Sequence, residues 1–370
     1  MSTATQEHTM TSRERWLAAL DGKPVDCLPF WPKIGGAYCK AQKAPFNAMS
    51  PADMHDYIGT DPQLGCAPCH KTIRTKTDFK SEQKDGRRHE EFITPNGSLR
   101  RVYGYDEGSQ AWHPMEFPLK TVEDVKIMTE WYRDADAEVD QEKLDDTIPY
   151  IKECGERGVM ATTVGESPLM LAVEHLAGVE NAHMLLMMHP DEMAELFEAM
   201  HALLKRQTEI TAEHVPADLI YFTENTSTTL ISPDQYRQWC VPQLTEYGQI
   251  IRSHGKRLAL HMCGFLKLIL PDINRIPASC YEAFTSPPVG NTRFIDGRTD
   301  CPEVCLVGGT NAALWLRPVD EIIAEIKADL DALPHHRRIV VTSGGMMPPF
   351  LDPDGLKKVC EFVKSYPIRM

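Results

Sequence analysis

The sequence predicts an α/β chain folded as a (β/α)8 TIM barrel with an inserted β-hairpin or meander near residues 70–118. Three observations predict it. After Gly158, short apolar runs alternate regularly with amphipathic stretches, which implies parallel strands joined by right-handed helical crossovers. About eight such strands can be counted, and 370 residues accommodate one barrel of ~250 residues plus an insertion. No G-x-G-x-x-G or P-loop follows the first strand, as an open doubly wound sheet would usually require. The expected organisation is a disordered leader over residues 1–10 and a single barrel domain over 11–370.

Taken in order, a helix starts at Thr11-Ser12 and stops at Asp21-Gly22. Leu28–Pro32 reads as the first strand and Gln63–Cys69 as the second. Residues 71–80 and 87–105 alternate polar and apolar around turns at Lys84-Asp85-Gly86 and Pro95-Asn96-Gly97, the pattern of an inserted hairpin or meander. Helical patterns resume at the capping box Thr121-Val122-Glu123-Asp124 and run, with breaks, to about Gly158. Strands follow at 159–164, 218–223, 257–262, 280–285, 304–308 and 338–342. Between and after them the pattern predicts helices over 167–177, 190–214, from Ser232-Pro233, 266–276, 318–333 and 353–366.

Composition narrows the function. A net charge of -14 and a pI near 5.5 disfavour nucleic acid or an anionic membrane as partner, since both need basic surfaces. The polar N-terminus lacks a secretory signal, and no apolar run is long enough to span a bilayer. Eleven scattered cysteines fit reduced thiols in a cytoplasmic protein. A homodimer stays open. Cys66-Ala67-Pro68-Cys69-His70 has the form of a haem c attachment site, but that chemistry needs export; as a redox pair it lacks a helix to open. Met184, Met187 and Met188 read as core filling. The run from Met346 to Phe350 reads as an apolar lid or substrate contact.

One stretch concentrates ligand chemistry. Arg257–Gly264 reads as a strand with a polar tip, and side chains two apart on a strand share a face. His261 and Cys263 therefore project together, an imidazole and a thiol that suit zinc. A core histidine beside a buried free cysteine is the plainer alternative. In a barrel, active sites gather at the C-terminal strand ends, which places Glu166, Tyr221, Glu224, Asn225 and Asn311 on the same rim. Glu224 would supply an oxygen ligand and complete a three-ligand site with an open fourth position; it would otherwise cap a helix or pair with a lysine. Such an open zinc acts as a Lewis acid.

Thr11-Ser12-Arg13-Glu14-Arg15, Asp26-Cys27-Leu28-Pro29, Thr94–Leu99 and Leu230–Tyr236 resemble segments of the uroporphyrinogen decarboxylase superfamily. Leu260-His261-Met262-Cys263-Gly264 resembles the H-x-C-G of its zinc-dependent, cobalamin-linked methyltransferase branch. That resemblance implies a barrel with zinc at its rim. In the coenzyme M branch a cysteine in a G-C-G turn after the last strand completes the zinc site. Here the turn is Ser343-Gly344-Gly345-Met346-Met347, which leaves Glu224 as the expected third ligand and a harder zinc suited to an ether oxygen. The decarboxylases resemble this chain less, because their R-Q-A-G-R segment is replaced by Pro32–Tyr38 with one lysine.

The resemblance thus implies demethylation of a small O-methyl substrate, with transfer to a corrinoid (cobalamin) on a partner protein or bound transiently. Glu224, His261 and Cys263 would hold zinc, with Glu224 and Tyr221 catalytic. Glu166, Asn225, Asn311 and Met346 would contact substrate. The alternatives are methyl transfer from a methyl-corrinoid to a thiol or tetrahydrofolate, uroporphyrinogen decarboxylation, and a non-catalytic corrinoid-binding subunit.

Overall fold

The structure, a computed structural model, describes residues 9–107 and 111–370; the expected leader lies outside them up to residue 8. In chain order the strands begin with β1 (Phe30–Lys33) and β2 (Gln63–Gly65). The insertion then brings β3 (His70–Ile73), β4 (Asp78–Lys84), β5 (Arg87–Thr94), β6 (Gly97–Asp106), β7 (Ala111–Glu116) and β8 (Asp136–Val139). The chain returns with β9 (Val159–Gly165), β10 (Leu219–Thr223) and β11 (Arg257–His261). It finishes with β12 (Cys280–Phe284), β13 (Cys305–Gly308) and β14 (Ile339–Met346).

Eight of these form one parallel sheet in the order β1-β14-β13-β12-β11-β10-β9-β2, flanked by helices, so the architecture is a (β/α)8 barrel. Across the seam between its first and last members, the Asp61 amide donates to the Phe30 carbonyl (2.8 Å). The insertion falls where the alternating pattern predicts it: β4 to β7 form a four-stranded antiparallel meander, and β3 pairs with β8. Phe92 and Leu99 of the meander pack in one cluster with Val125, Met128 and Trp131 of the helix Val122–Arg133.

Strand alternation divides the core in two. Leu219, Tyr221, Ala259, Cys280, Cys305, Val307 and Val340 face inward and pack with Trp16 and Leu20. Those last two come from the helix Ser12–Asp21, which starts in a Thr11–Glu14 capping box and stops at Gly22 (φ 69°). Ile220, Phe222, Leu258, Leu260 and Tyr281 face outward into the layer beneath the helices. The parity of each strand thus decides which side chains reach the barrel mouth.

Several elements depart from the sequence expectation. Asp136–Val139 lies in a stretch expected to be helical, yet pairs antiparallel with His70–Ile73, because cross-strand pairing overrides a weak local preference. The helix expected over 266–276 shrinks to Leu270–Ile273, with Pro271 in its first turn and unable to sit inside a longer helix. Short helices at Gly36–Ala41, Pro51–Ile58 and Val179–Met188 join the expected set. Met184, Met187 and Met188, expected in the core, lie on the outer face of the last of these, Met187 78% exposed. Among the described residues no helix is long and apolar enough to cross a membrane.

Candidate active site

The mouth of the barrel is a cleft of about 310 Å³ whose lining includes Lys33, Thr163, Tyr221, Thr223, His261, Glu282 and Met346. Lys33, Tyr221, Thr223, His261 and Glu282 share inward strand parity, so one alternation rule brings polar side chains of four strands to one place. His261 and Glu282 are directly opposed Cα partners on β11 and β12. The His261 Nδ1–H donates to Glu282 Oε2, and Lys33 Nζ forms an ion pair with the other carboxylate oxygen. A bond at Nδ1 fixes the ring and leaves Nε2 as its available ligand atom.

Burial lowers the affinity of the His261 ring for a proton, but the charge of Glu282 outweighs it and holds the imidazolium well above its ordinary range. Glu282 is likewise opposed by burial and held below the usual carboxylate range by Lys33 and His261. The backbone beside it is unusual: Ala283 adopts φ 59°, where the β12–β13 register shifts. A bulge of this kind re-aims neighbouring side chains at a rim.

Cys263 lies within hydrogen-bonding reach of the His261 ring, and its thiol also points to Asn225 Oδ1 (3.6 Å). Asn225, at φ 44°, donates through Nδ2 to Glu174 Oε2 (2.9 Å). Beyond it stand Glu166 and His175, with Glu166 Oε1 to His175 Nε2 at 3.4 Å. Ligand atoms of Glu166, Glu174 and His175 all lie within 4.8 Å of one another, the one such group of three among the described residues. Glu174 and His175 sit on a π-turn, Ala172–Leu176, a distortion that recurs at functional sites.

Two oxygens in this cluster, Glu166 Oε2 and Glu174 Oε1, are buried with no hydrogen-bond partner. Burial first, then the neighbouring Glu166 charge, pushes the Glu174 carboxyl up to about 7. An unpaired buried carboxylate is costly unless a cation compensates it. Glu166, Glu174 and His175 offer ligand atoms close enough to share one divalent ion, while the His261 imidazole and Cys263 thiol, donors that suit zinc, stand one contact away through Asn225.

The expected site residues therefore separate. His261, Cys263 and Asn225 come together, with Glu166 one step further along the chain of contacts. Tyr221 reaches the mouth, its hydroxyl donating to Gln63 Oε1 (2.5 Å), and burial keeps its proton on. Met346, 65% exposed, stands at the lip.

Glu224 does not join them. One residue past the inward Thr223, it takes the opposite parity and is fully buried behind the strand. Its carboxylate accepts from Ser167 N (2.7 Å) and bonds Ser167 Oγ (2.6 Å), and burial pushes it up to about 8. The expected zinc ligation and catalytic role of Glu224 are thus replaced by a structural one.

Asn311 is also committed elsewhere: its amide donates to Ser286 Oγ and Pro287 O (3.0 Å each), and its Oδ1 accepts from Leu314 N. Glu282, Lys33, Glu174 and His175 were missed from sequence. The visible signal was a glutamate inside the otherwise apolar run Cys280-Tyr281-Glu282-Ala283-Phe284.

A family model described as uroporphyrinogen decarboxylase (URO-D) matches residues 116–366. No curated protein sequence matches the chain. Among solved structures, a methyltransferase from Methanosarcina mazei is similar at TM-score 0.58 and 18% identity, covering 96% of this chain and 98% of that one. A D-psicose 3-epimerase from Clostridium cellulolyticum H10 matches at TM-score 0.32 and 11% identity, over 59% of this chain and 81% of that one. The pneumococcal virulence factor StrH matches at 0.40 and 8%, over 94% and 83%. Since the family model spans more than half of these residues, the chain belongs to the uroporphyrinogen decarboxylase (URO-D) family.

Proposed function

We propose that this protein is a zinc-dependent methyltransferase that demethylates a small O-methyl compound, with a corrinoid on a separate protein as methyl acceptor. The observation that carries the reading is the His261–Cys263 pair at the rim, its imidazole backed by Glu282, beside carboxylate oxygens that have no partner. Likeness to a Methanosarcina mazei methyltransferase, at an identity that speaks for fold alone, is compatible with it. When bound, zinc would supply Lewis acidity toward an ether oxygen.

In this reading His261 Nε2 and Cys263 Sγ hold the ion, and Glu174, joined to Cys263 through Asn225 but outside a common ligand distance in this structure, closes in as the third ligand, with Glu166 as the neighbouring carboxylate. Glu282, braced by Lys33, holds the His261 ring in the tautomer that presents Nε2. Asn225 keeps Glu174 and Cys263 in register. Tyr221 and Thr223 offer hydroxyls to the substrate's polar end, and Met346 excludes water at the lip. A cleft of about 310 Å³ is the size of a small-ligand site, so the corrinoid would meet it from outside.

Lys33 also weighs against porphyrinogen decarboxylation. Apart from the His261 ring it is the one cation lining the mouth among the described residues, and Glu282 already neutralises it. An octa-anionic substrate would find little there to hold its carboxylates.

The test joins metal analysis to turnover. Wild-type protein should carry about one zinc per chain and demethylate methoxylated compounds when given a reduced corrinoid protein. His261→Ala, Cys263→Ser and Glu174→Gln should lose both metal and activity, while Glu224→Gln keeps the metal. Full activity after strict metal removal would exclude the proposal.

A further inference from the structure

We infer that the inserted meander carries a second binding site, for a small aromatic carboxylate, in the cleft between β4, β5 and the helix Val122–Arg133. This cleft holds about 550 Å³ and is lined by Arg74, Phe79, Phe92, Arg101, Trp131 and Tyr132 among others. It belongs to the insertion and not to the barrel mouth.

Arg74 is the centre of the argument. It follows β3 and stacks over the Trp131 ring, 3.2 Å from its centroid. Only its Nη1 is engaged, by the Trp131 carbonyl and Thr77 Oγ1. Nε and Nη2 have no hydrogen-bond partner among the described residues, and no carboxylate stands within ion-pair distance. The acid whose charge reaches Arg74 is occupied: Asp134 accepts from the backbone N–H groups of Thr75, Lys76 and Thr77 and from two threonine hydroxyls. Asp78, at the cleft's edge, accepts from the Phe79 N–H.

Arg101 shares Glu90 with Arg88, so this group of three carries net positive charge. A half-buried guanidinium with a free face, at a site whose local acids are committed, suits a bidentate carboxylate. Burial lowers the Arg74 pKa to about 10, with Tyr132 and Asp134 opposing that shift.

The walls name the rest of the ligand. Phe92 meets Trp131 edge-on at 4.9 Å, Phe79 lies 5.3 Å from Phe92, and Tyr132 lies 5.0 Å from Trp131. Such a cluster offers faces and edges for one further flat ring. Carboxylate and ring together specify the benzoate class and separate it from acetate or phosphate, which would use Arg74 alone.

Equilibrium dialysis of the full chain against benzoate tests the inference. One benzoate should bind per chain, with benzamide and acetate each at least about tenfold weaker. Arg74→Gln should weaken benzoate binding by about tenfold or more, and Arg74→Lys by less, because it keeps charge but not the fork. Trp131→Leu serves as a second variant, and unfolding curves confirm that each is folded. Cys263→Ser should bind benzoate as the wild type does, so the result stands or falls independently of the zinc reading. No binding, unchanged affinity in folded Arg74→Gln, or loss of binding in Cys263→Ser would overturn it.

Discussion

Glu282 governs the state of the imidazole at the centre of the mouth. Removing its charge by Glu282→Gln should leave His261 present but loosely oriented, and weaken zinc binding by about 10–100-fold. Competition with a zinc chelator would measure this, and an unchanged affinity would show that the ring is held by something else. Glu224 poses a different test. Its carboxyl is raised from the ordinary 4.5 to about 8, so between those values the folded state holds a proton that the unfolded state has lost. Its contribution to stability is therefore lost as pH rises from about 5 through 8. Glu224→Gln preserves both bonds to Ser167 and should flatten that slope by roughly 1–4 kcal/mol, read from urea midpoints at pH 5 and 8.5. Parallel pH profiles for the two proteins would refute the assignment. His261 was legible because side chains alternate along a strand, and Cys263, two residues on, lies just past the end of β11 yet still reaches the same place. Glu224 was placed on the rim by its strand end alone; alternation, counted from the inward Thr223, sends it behind the strand.

At the scale of elements, the eight barrel strands and the insertion were legible because apolar runs and turn residues are local signals. The π-turn at Ala172–Leu176 was not, since an extra residue in a helical turn leaves no periodic trace. Yet that turn sets the direction of Glu174 and His175. The turn after β11 is equally exacting. A Cβ on Gly264 would meet the Thr226 carbonyl at 2.4 Å and the Ser227 Cβ at 2.3 Å. Gly264→Ala must displace the backbone beside Cys263. The variant should fold, since the contact is confined to a loop, but bind zinc at least about tenfold more weakly, a loss typical of disturbed ligand support. Retained metal content would mean that the loop gives way without moving the thiol.

Over the whole molecule, the barrel is filled from below by the first helix. Trp16 is fully buried and its Nε1–H donates to the Asp61 carbonyl (2.8 Å), beside the seam where β1 meets β2. Trp16→Ala should cost about 3–5 kcal/mol, visible as an earlier denaturation midpoint. A loss below 1 kcal/mol would imply that the barrel floor is packed without it. The Lys33–Glu282–His261 chain draws on β1, β11 and β12, segments separated by more than two hundred residues of sequence. A nascent or truncated chain lacking either end of that span has no braced imidazole to offer. Tight capture of metal would thus be a checkpoint on ring closure, reached only when the earliest strand has docked against the late ones. Half-made barrels would go uncharged.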